Sequence, residues 1–206
     1  METLGLTPSP KADSIWRNLF WPTIRSEVDV DQIGRQGFWL CFIIASFTLV
    51  VTMIAGLYSG GIAAAVFYWL GGIGVRQRSR LAAVVIFGAY LLSAIAVLKY
   101  TGLGSLLDIV RFIFLALLFA NVRGTFLSAE WRADATRLGV LLHNQNTAPE
   151  PSPVRMTATL ADRLADQLPM YVWPVGQWFF YVLALLEIWV ALVLLFWPEL
   201  LFFRIA

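Results

Sequence analysis

The chain has 206 residues, of which 59% are hydrophobic and only 14% charged, and its formal net charge is +2. A soluble domain carries about a quarter charged residues, so this composition, with a mean hydropathy of +0.74, points to a membrane protein. The small, dispersed charge excludes a nucleic-acid partner, the lone Cys41 excludes an internal disulfide, and the lone His143 excludes a multi-histidine metal site.

Taken from the N-terminus, "DSIWRNLFWP" places Ile15, Trp16, Leu19 and Phe20 on one helical face before Pro22 ends the turn. This is the pattern of a short helix lying on a membrane surface, within a polar segment 1–37. The first long apolar run begins only at Phe38, behind Lys11, Asp13 and Arg17. It is therefore expected to remain as an anchor rather than to be removed as a signal peptide. A spanning helix needs about 20 apolar residues. Phe38–Leu57, Leu81–Leu98, Leu103–Val122 and Trp178–Trp197 meet that length. A shorter run, Ile62–Val75, contains Gly71, Gly72 and Gly74 and follows an expected tight turn at Tyr58–Gly61. It reads as a fifth, thin span, with a re-entrant segment as the rival.

Between the fourth and last spans, residues 123–177 are amphipathic. Leu127, Trp131, Ala135, Leu138 and Leu142 recur at helical spacing. "NTAPEPSP" then interrupts with Pro149, Pro151 and Pro153. Leu160, Leu164 and Leu168 line a second short helix, which Pro169 and Pro174 are expected to separate from the last span. The organisation is thus 1–37 cytoplasmic, 38–122 four spans, 123–177 cytoplasmic, and 178–206 the fifth span with an outer tail.

Orientation follows from the basic residues. Twelve of the fifteen fall on one side: Lys11, Arg17, Arg25 and Arg35, the loop Arg76, Arg78 and Arg80, and Arg123, Arg132, Arg137, Arg155 and Arg163. Lys99 and Arg204 fall on the other, and Arg111 lies within a span. That asymmetry places the N-terminus in the cytoplasm and the C-terminus outside a cell membrane. Trp39 and Trp178 fall at the inner edge, and Tyr58, Tyr100 and Trp197 at the outer edge, whereas Tyr68 and Trp69 lie mid-span and are expected to pack between helices.

Few residues are available for chemistry. Arg111 and Glu187 are expected near the middle of two spans, and Asp108 stands three positions before Arg111. A charge at the bilayer centre costs about 2.5–3.5 kcal/mol on insertion scales, so Arg111 is expected to be shared by Glu187 and Asp108. The triad reads as a structural ion pair, as a polar site for an ion, a proton or a head group, or as Arg111 snorkelling part-way to water with Asp108 near the outer head groups. Arg76, Arg78 and Arg80 read as topogenic charge or as a site for lipid head groups. Gly56 and Gly60 form a GxxxG pattern suited to close helix packing or a dimer contact. Cys41 reads as an apolar filler, and Ser46, Thr48, Thr52 and Ser93 are expected to bond back to helix carbonyls. No metal-ligand set, phosphate loop or nucleophile–base pair is present in the sequence, and no cofactor is implied.

The expected fold class is an all-α, polytopic integral membrane protein with five transmembrane helices and short cytoplasmic amphipathic helices. The expected function is non-catalytic: an assembly partner or accessory subunit, with the lipid bilayer and other membrane subunits or a homo-oligomer as partners. The alternative is a small transporter or channel-like protein using Arg111, Glu187 and Asp108.

Overall fold

The structure, a computed structural model, describes residues 21, 27–101, 104, 106–137 and 160–197. The surface helix at Ile15–Phe20, His143, the proline-rich linker and Arg204 lie outside the described residues. Among the described residues there are five helices and no strand: α1 Glu27–Ile54, α2 Tyr58–Arg76, α3 Arg80–Thr101, α4 Leu106–Arg137 and α5 Leu160–Phe196. Four stretches within them are long and apolar enough to cross a membrane: Asp29–Ile54, Tyr58–Arg76, Arg80–Tyr100 and Tyr171–Phe196. This is compatible with a membrane location. α4, expected as a span, is not among the four; Asp108 and Arg111 fall within its apolar run and Arg123 closes it.

Around the bundle the order is α1, α2, α5, α3, α4, with α2 and α3 also in contact across it. Side-chain neighbours fix the directions. Thr52 and Cys41 of α1 face Gly61 and Gly72 of α2, so these helices are antiparallel. Leu70 and Gly74 of α2 face Gly176 and Trp173 of α5, again antiparallel. Phe87 and Tyr90 of α3 meet Phe119 and Phe114 of α4, and Phe47 of α1 also meets Phe114. α4 therefore runs down the length of α3 and α1. α1, α3 and α5 point one way, and α2 and α4 the other.

Three sequence expectations are corrected here. The turn after α1 is not Tyr58–Gly61 but Ala55–Leu57, because Gly56 adopts φ +76°. Gly56 N–H donates to the Met53 carbonyl and Leu57 N–H to that of Thr52, the paired bonds of a Schellman cap. α2 then begins at Tyr58 as a continuous helix of 19 residues. Second, the amphipathic stretch after Val122 is not a separate element; α4 carries on to Arg137 over 32 residues. Third, Pro169 and Pro174 do not divide the last helix, which is continuous over 37 residues. A proline interrupts the helical ladder locally, but here Trp173 is seated on Gly74, and Gly176 on Leu70, so packing holds that turn against α2.

The core is an aromatic layer to which every helix contributes. Phe67 of α2 stacks on Phe180 of α5 at 5.3 Å with 3° between planes. Next to it Tyr68 meets Tyr90 of α3 at 6.1 Å, edge to face, and Tyr90 leads on to Phe114 and Phe47. Such pairs add about 0.5–1.5 kcal/mol each beyond the area they bury. Tyr68, expected to pack between helices, sits in the middle of this layer and is buried.

α2 is the most enclosed of the four apolar helices, with 50% of its span buried against 22–28% for the others. Its glycines make this close packing possible. A Cβ on Gly71 would meet Ile86 at 2.5 Å, one on Gly72 would meet Cys41 Cβ at 2.8 Å, and one on Gly74 would meet Trp173 at 2.3 Å. Gly56 and Gly60, by contrast, have nothing within 4 Å, so the GxxxG pair does not pack inside the bundle.

Candidate functional site

Charged side chains gather at the two ends of the bundle. At the α2–α3 end the chain turns in three residues, Gln77, Arg78 and Ser79. Arg78 takes a left-handed conformation, φ 64°; its N–H donates to Val75 and that of Ser79 to Gly74, a second Schellman cap. Ser79 Oγ then accepts from Ala82 N–H at 3.2 Å and starts α3. This turn aims two arginines at α1. Arg76 Nη1 donates to Asp31 Oδ1 at 2.7 Å and to the Asp31 carbonyl at 3.1 Å. Arg78 stands 3.9 Å from the same carboxylate. Arg80 points elsewhere, over the Phe126 ring of α4 at 5.7 Å.

α4 closes this end with a polar face. Asn121, Thr125 and Ser128 are buried. Thr125 and Ser128 donate back to the carbonyls of Asn121 and Gly124 at 2.8 and 2.6 Å. Asn121 Oδ1 lies where a Cβ on Gly37 would be, 2.5 Å from it, and accepts no hydrogen bond among the described residues. Arg123 covers the Trp21 ring at 3.9 Å.

At the other end, α3 and α5 finish together. Lys99 Nζ donates to the Leu195 carbonyl and Tyr100 Oη to that of Leu194. The cation therefore meets the negative end of the α5 dipole. Beside this, Arg111 Nη1 donates to Asp108 Oδ1 at 2.7 Å, and Asp108 Oδ2 accepts from Gly104 N–H at 3.3 Å. The side chain of Asp108 is 4% exposed and that of Arg111 27%.

Of the expected triad, Arg111 and Asp108 are therefore joined. Glu187 is not bridged to Arg111 among the described residues. The reason lies in the helix order: α3 separates α4 from α5. Nor is Arg111 at a helix centre, since α4 begins at Leu106 rather than Leu103 and Arg111 is in its second turn.

Other expectations can be placed directly. Cys41 is buried in the apolar seam against Gly72. Ser46 and Thr52 donate to the carbonyls of Phe42 and Thr48 at 2.9 and 2.7 Å. Asp31, Gly37 and Asn121 were not singled out from the sequence. A signal for two of them exists: Val30, Ile33, Gly34, Gly37, Phe38 and Cys41 continue a helical stripe upstream of the apolar run, with Asp31 at its edge. No group of three metal-binding side chains comes together among the described residues. Comparison of the chain with models of protein families, with curated proteins and with solved structures found no match.

Proposed function

We propose that this chain is a non-catalytic, five-pass membrane protein that serves as an assembly partner or accessory subunit of a larger membrane complex. The observation that carries the reading is the length of α4 and α5, 32 and 37 residues. At about 1.5 Å per residue, α4 is about 48 Å long and α5 about 55 Å, against a hydrocarbon core of about 30 Å. Both overrun the membrane, and the helix directions put their excess at the same end as the start of α1, the arginine-rich end. There α1 and α4 meet around Asn121, and Asp31 holds the α2–α3 turn. A braced helical platform of this kind suits docking to another protein.

Five crossings are supported by the path of α4. It lies beside α1 and α3 from Phe126, under Arg80, to Asp108, beside Leu98. Its outward residues Ile109, Phe112, Ile113 and Phe119 are apolar and exposed. A helix with that face, alongside two spanning helices, belongs in the same bilayer. Five crossings with the basic asymmetry put the N-terminus and the platform in the cytoplasm of a cell, and the C-terminus outside. In this reading Arg78 and Arg80 supply the cytoplasmic surface charge that meets lipid head groups, while Arg76 is occupied by Asp31. The transporter reading is disfavoured by the aromatic layer, which fills the middle of the bundle where a pathway would run.

The test is purification of the tagged full chain from native membranes in mild detergent, with cross-linking. A second membrane protein recovered at near-equal amount, cross-linked to residues 27–37 or 123–137, is expected. Recovery as a lone chain, or only as copies of itself, overturns the heteromeric assignment. In a Cys41→Ala background, Gln77→Cys is expected to label only from the cytosol and Tyr58→Cys only from outside; the reverse pattern overturns the orientation.

A further inference from the structure

We propose that the crevice between α3 and α4 holds one membrane phospholipid, its phosphodiester on Arg111 and part of an acyl chain in the apolar cleft beside it. The cleft has a volume of about 70 Å³; Leu91, Ala94, Leu98 and Leu115 line it, and Asp108 and Arg111 stand on its wall. That space exceeds what a water needs, but a water also needs two or more polar partners. Ile95 and Phe112 complete the lining, and the surface that opens on the cleft is apolar, so methylene groups suit it better than water.

The phosphate half of the argument rests on Arg111. A guanidinium has five N–H donors in a fixed fork that matches phosphate oxygens. Here Nη1 is used by Asp108, and the remaining donors make no hydrogen bond among the described residues. The side chain is 27% exposed, whereas Asp108 behind it is almost fully covered. Asp108 thus holds the guanidinium from the buried side, and the donors it does not use belong to a side chain that is partly exposed. The start of α4 adds the positive end of its dipole at the same place. Depth agrees as well. Arg111 lies five residues into α4, about 7.5 Å below the helix start, and a long basic side chain reaches that far toward the head groups. Because the Asp108–Arg111 pair has no net charge, the group recognised is the phosphodiester itself and not the overall charge of the lipid.

The experiment uses the full chain in phosphatidylcholine nanodiscs with a trace of lipid carrying a photoactivatable acyl chain, either phosphatidylcholine or diacylglycerol. Adducts on peptides covering 91–98 and 108–115 are expected, about tenfold fewer with the diacylglycerol because it lacks the charged hydrogen-bond partner. Anionic phosphatidylglycerol bearing the same probe is expected to label like phosphatidylcholine. Arg111→Gln is expected to bring phosphatidylcholine down to the diacylglycerol level, and Ala94→Leu, which fills the cleft without touching the ion pair, to remove adducts from both. Equal labelling by phosphatidylcholine and diacylglycerol in the unaltered chain overturns the phosphate contact. Undiminished labelling of Ala94→Leu overturns the cleft. Those two arms decide the matter even if Arg111→Gln fails to accumulate.

Discussion

At the end where α2 turns into α3, Arg76 is joined to an aspartate on another helix, and Gly34 and Gly37 of α1 leave room for Arg76, Val75 and Asn121 to pack against that helix. At the opposite end Arg111 is joined to an aspartate of its own helix, and a cleft stays open beside it. The first arrangement ties elements together, because Asp31 and Arg76 are far apart in sequence and their bridge forms only when α1 and α2 dock. The second neutralises a charge locally and leaves the helix surface available. A short-range pair of this type satisfies a guanidinium from its own helix without specifying how neighbouring helices pack.

That contrast can be broken at its firmest point. Gly72→Leu forces a side chain into Cys41 and the Phe38 backbone; with backbone in the way, relief requires α1 and α2 to separate. The chain is expected not to accumulate in the membrane, as read by immunoblot of the membrane fraction, whereas Gly60→Leu, where nothing lies within 4 Å, is expected to accumulate normally.

The two aspartates give the next largest difference. Asp108→Ala removes a carboxylate whose side chain is 4% exposed, and is expected to cost about 3 kcal/mol, since it strands a partly buried charge. Asp31→Ala removes one that is 44% exposed, and Arg76, itself 10% exposed, keeps its bond to the residue-31 backbone carbonyl. Solvent screening reduces that loss to about 1 kcal/mol. Unfolding in bicelles measures both, and a larger loss for Asp31→Ala would reverse the assignment of which pair is more deeply held. Gly37→Ala places a methyl group 2.5 Å from Asn121 Oδ1 and 2.6 Å from Val75. A cost of about 1–3 kcal/mol is expected from overpacking, partly restored by adding Asn121→Ala in the same unfolding assay.

The smallest effect is expected at the turn itself. Arg78 sits in a left-handed conformation that costs a side-chain-bearing residue roughly 1 kcal/mol, and its carboxylate contact is long at 3.9 Å. Arg78→Gly is expected to stabilise the bundle by up to about 1 kcal/mol. A clear destabilisation would mean that the distant contact to Asp31 outweighs the backbone strain.

What the sequence made legible was mostly what lipid dictates. Apolar run lengths located the helices, and the three-arginine loop located the turn. The arginine–aspartate pair on α4 followed from their spacing of three. Boundaries were harder, for a consistent reason. α1, α4 and α5 extend past their apolar runs on stripes that are half polar, and hydropathy is blind to a stripe. Pro174 also misled, because local propensity counts the missing hydrogen bond but not Trp173 seated on Gly74. Glu187 was placed with Arg111 by counting along two helices; which helix stands between them is a matter of tertiary order that no spacing reveals.

The three-residue hinge around Arg78 also bears on how the polypeptide enters the bilayer. α2 has a hydropathy of only 1.3 in its most apolar window, against 2.6 for α3. Its many glycines, which suit it to the centre of the finished bundle, make it a poor candidate to leave the translocation machinery by itself. Joined so tightly to the greasier helix that follows, it can partition as half of a hairpin, drawn in by its successor. A nascent chain halted before α3 emerges is then expected to leave α2 extractable by alkali, and one halted after Thr101 to retain it.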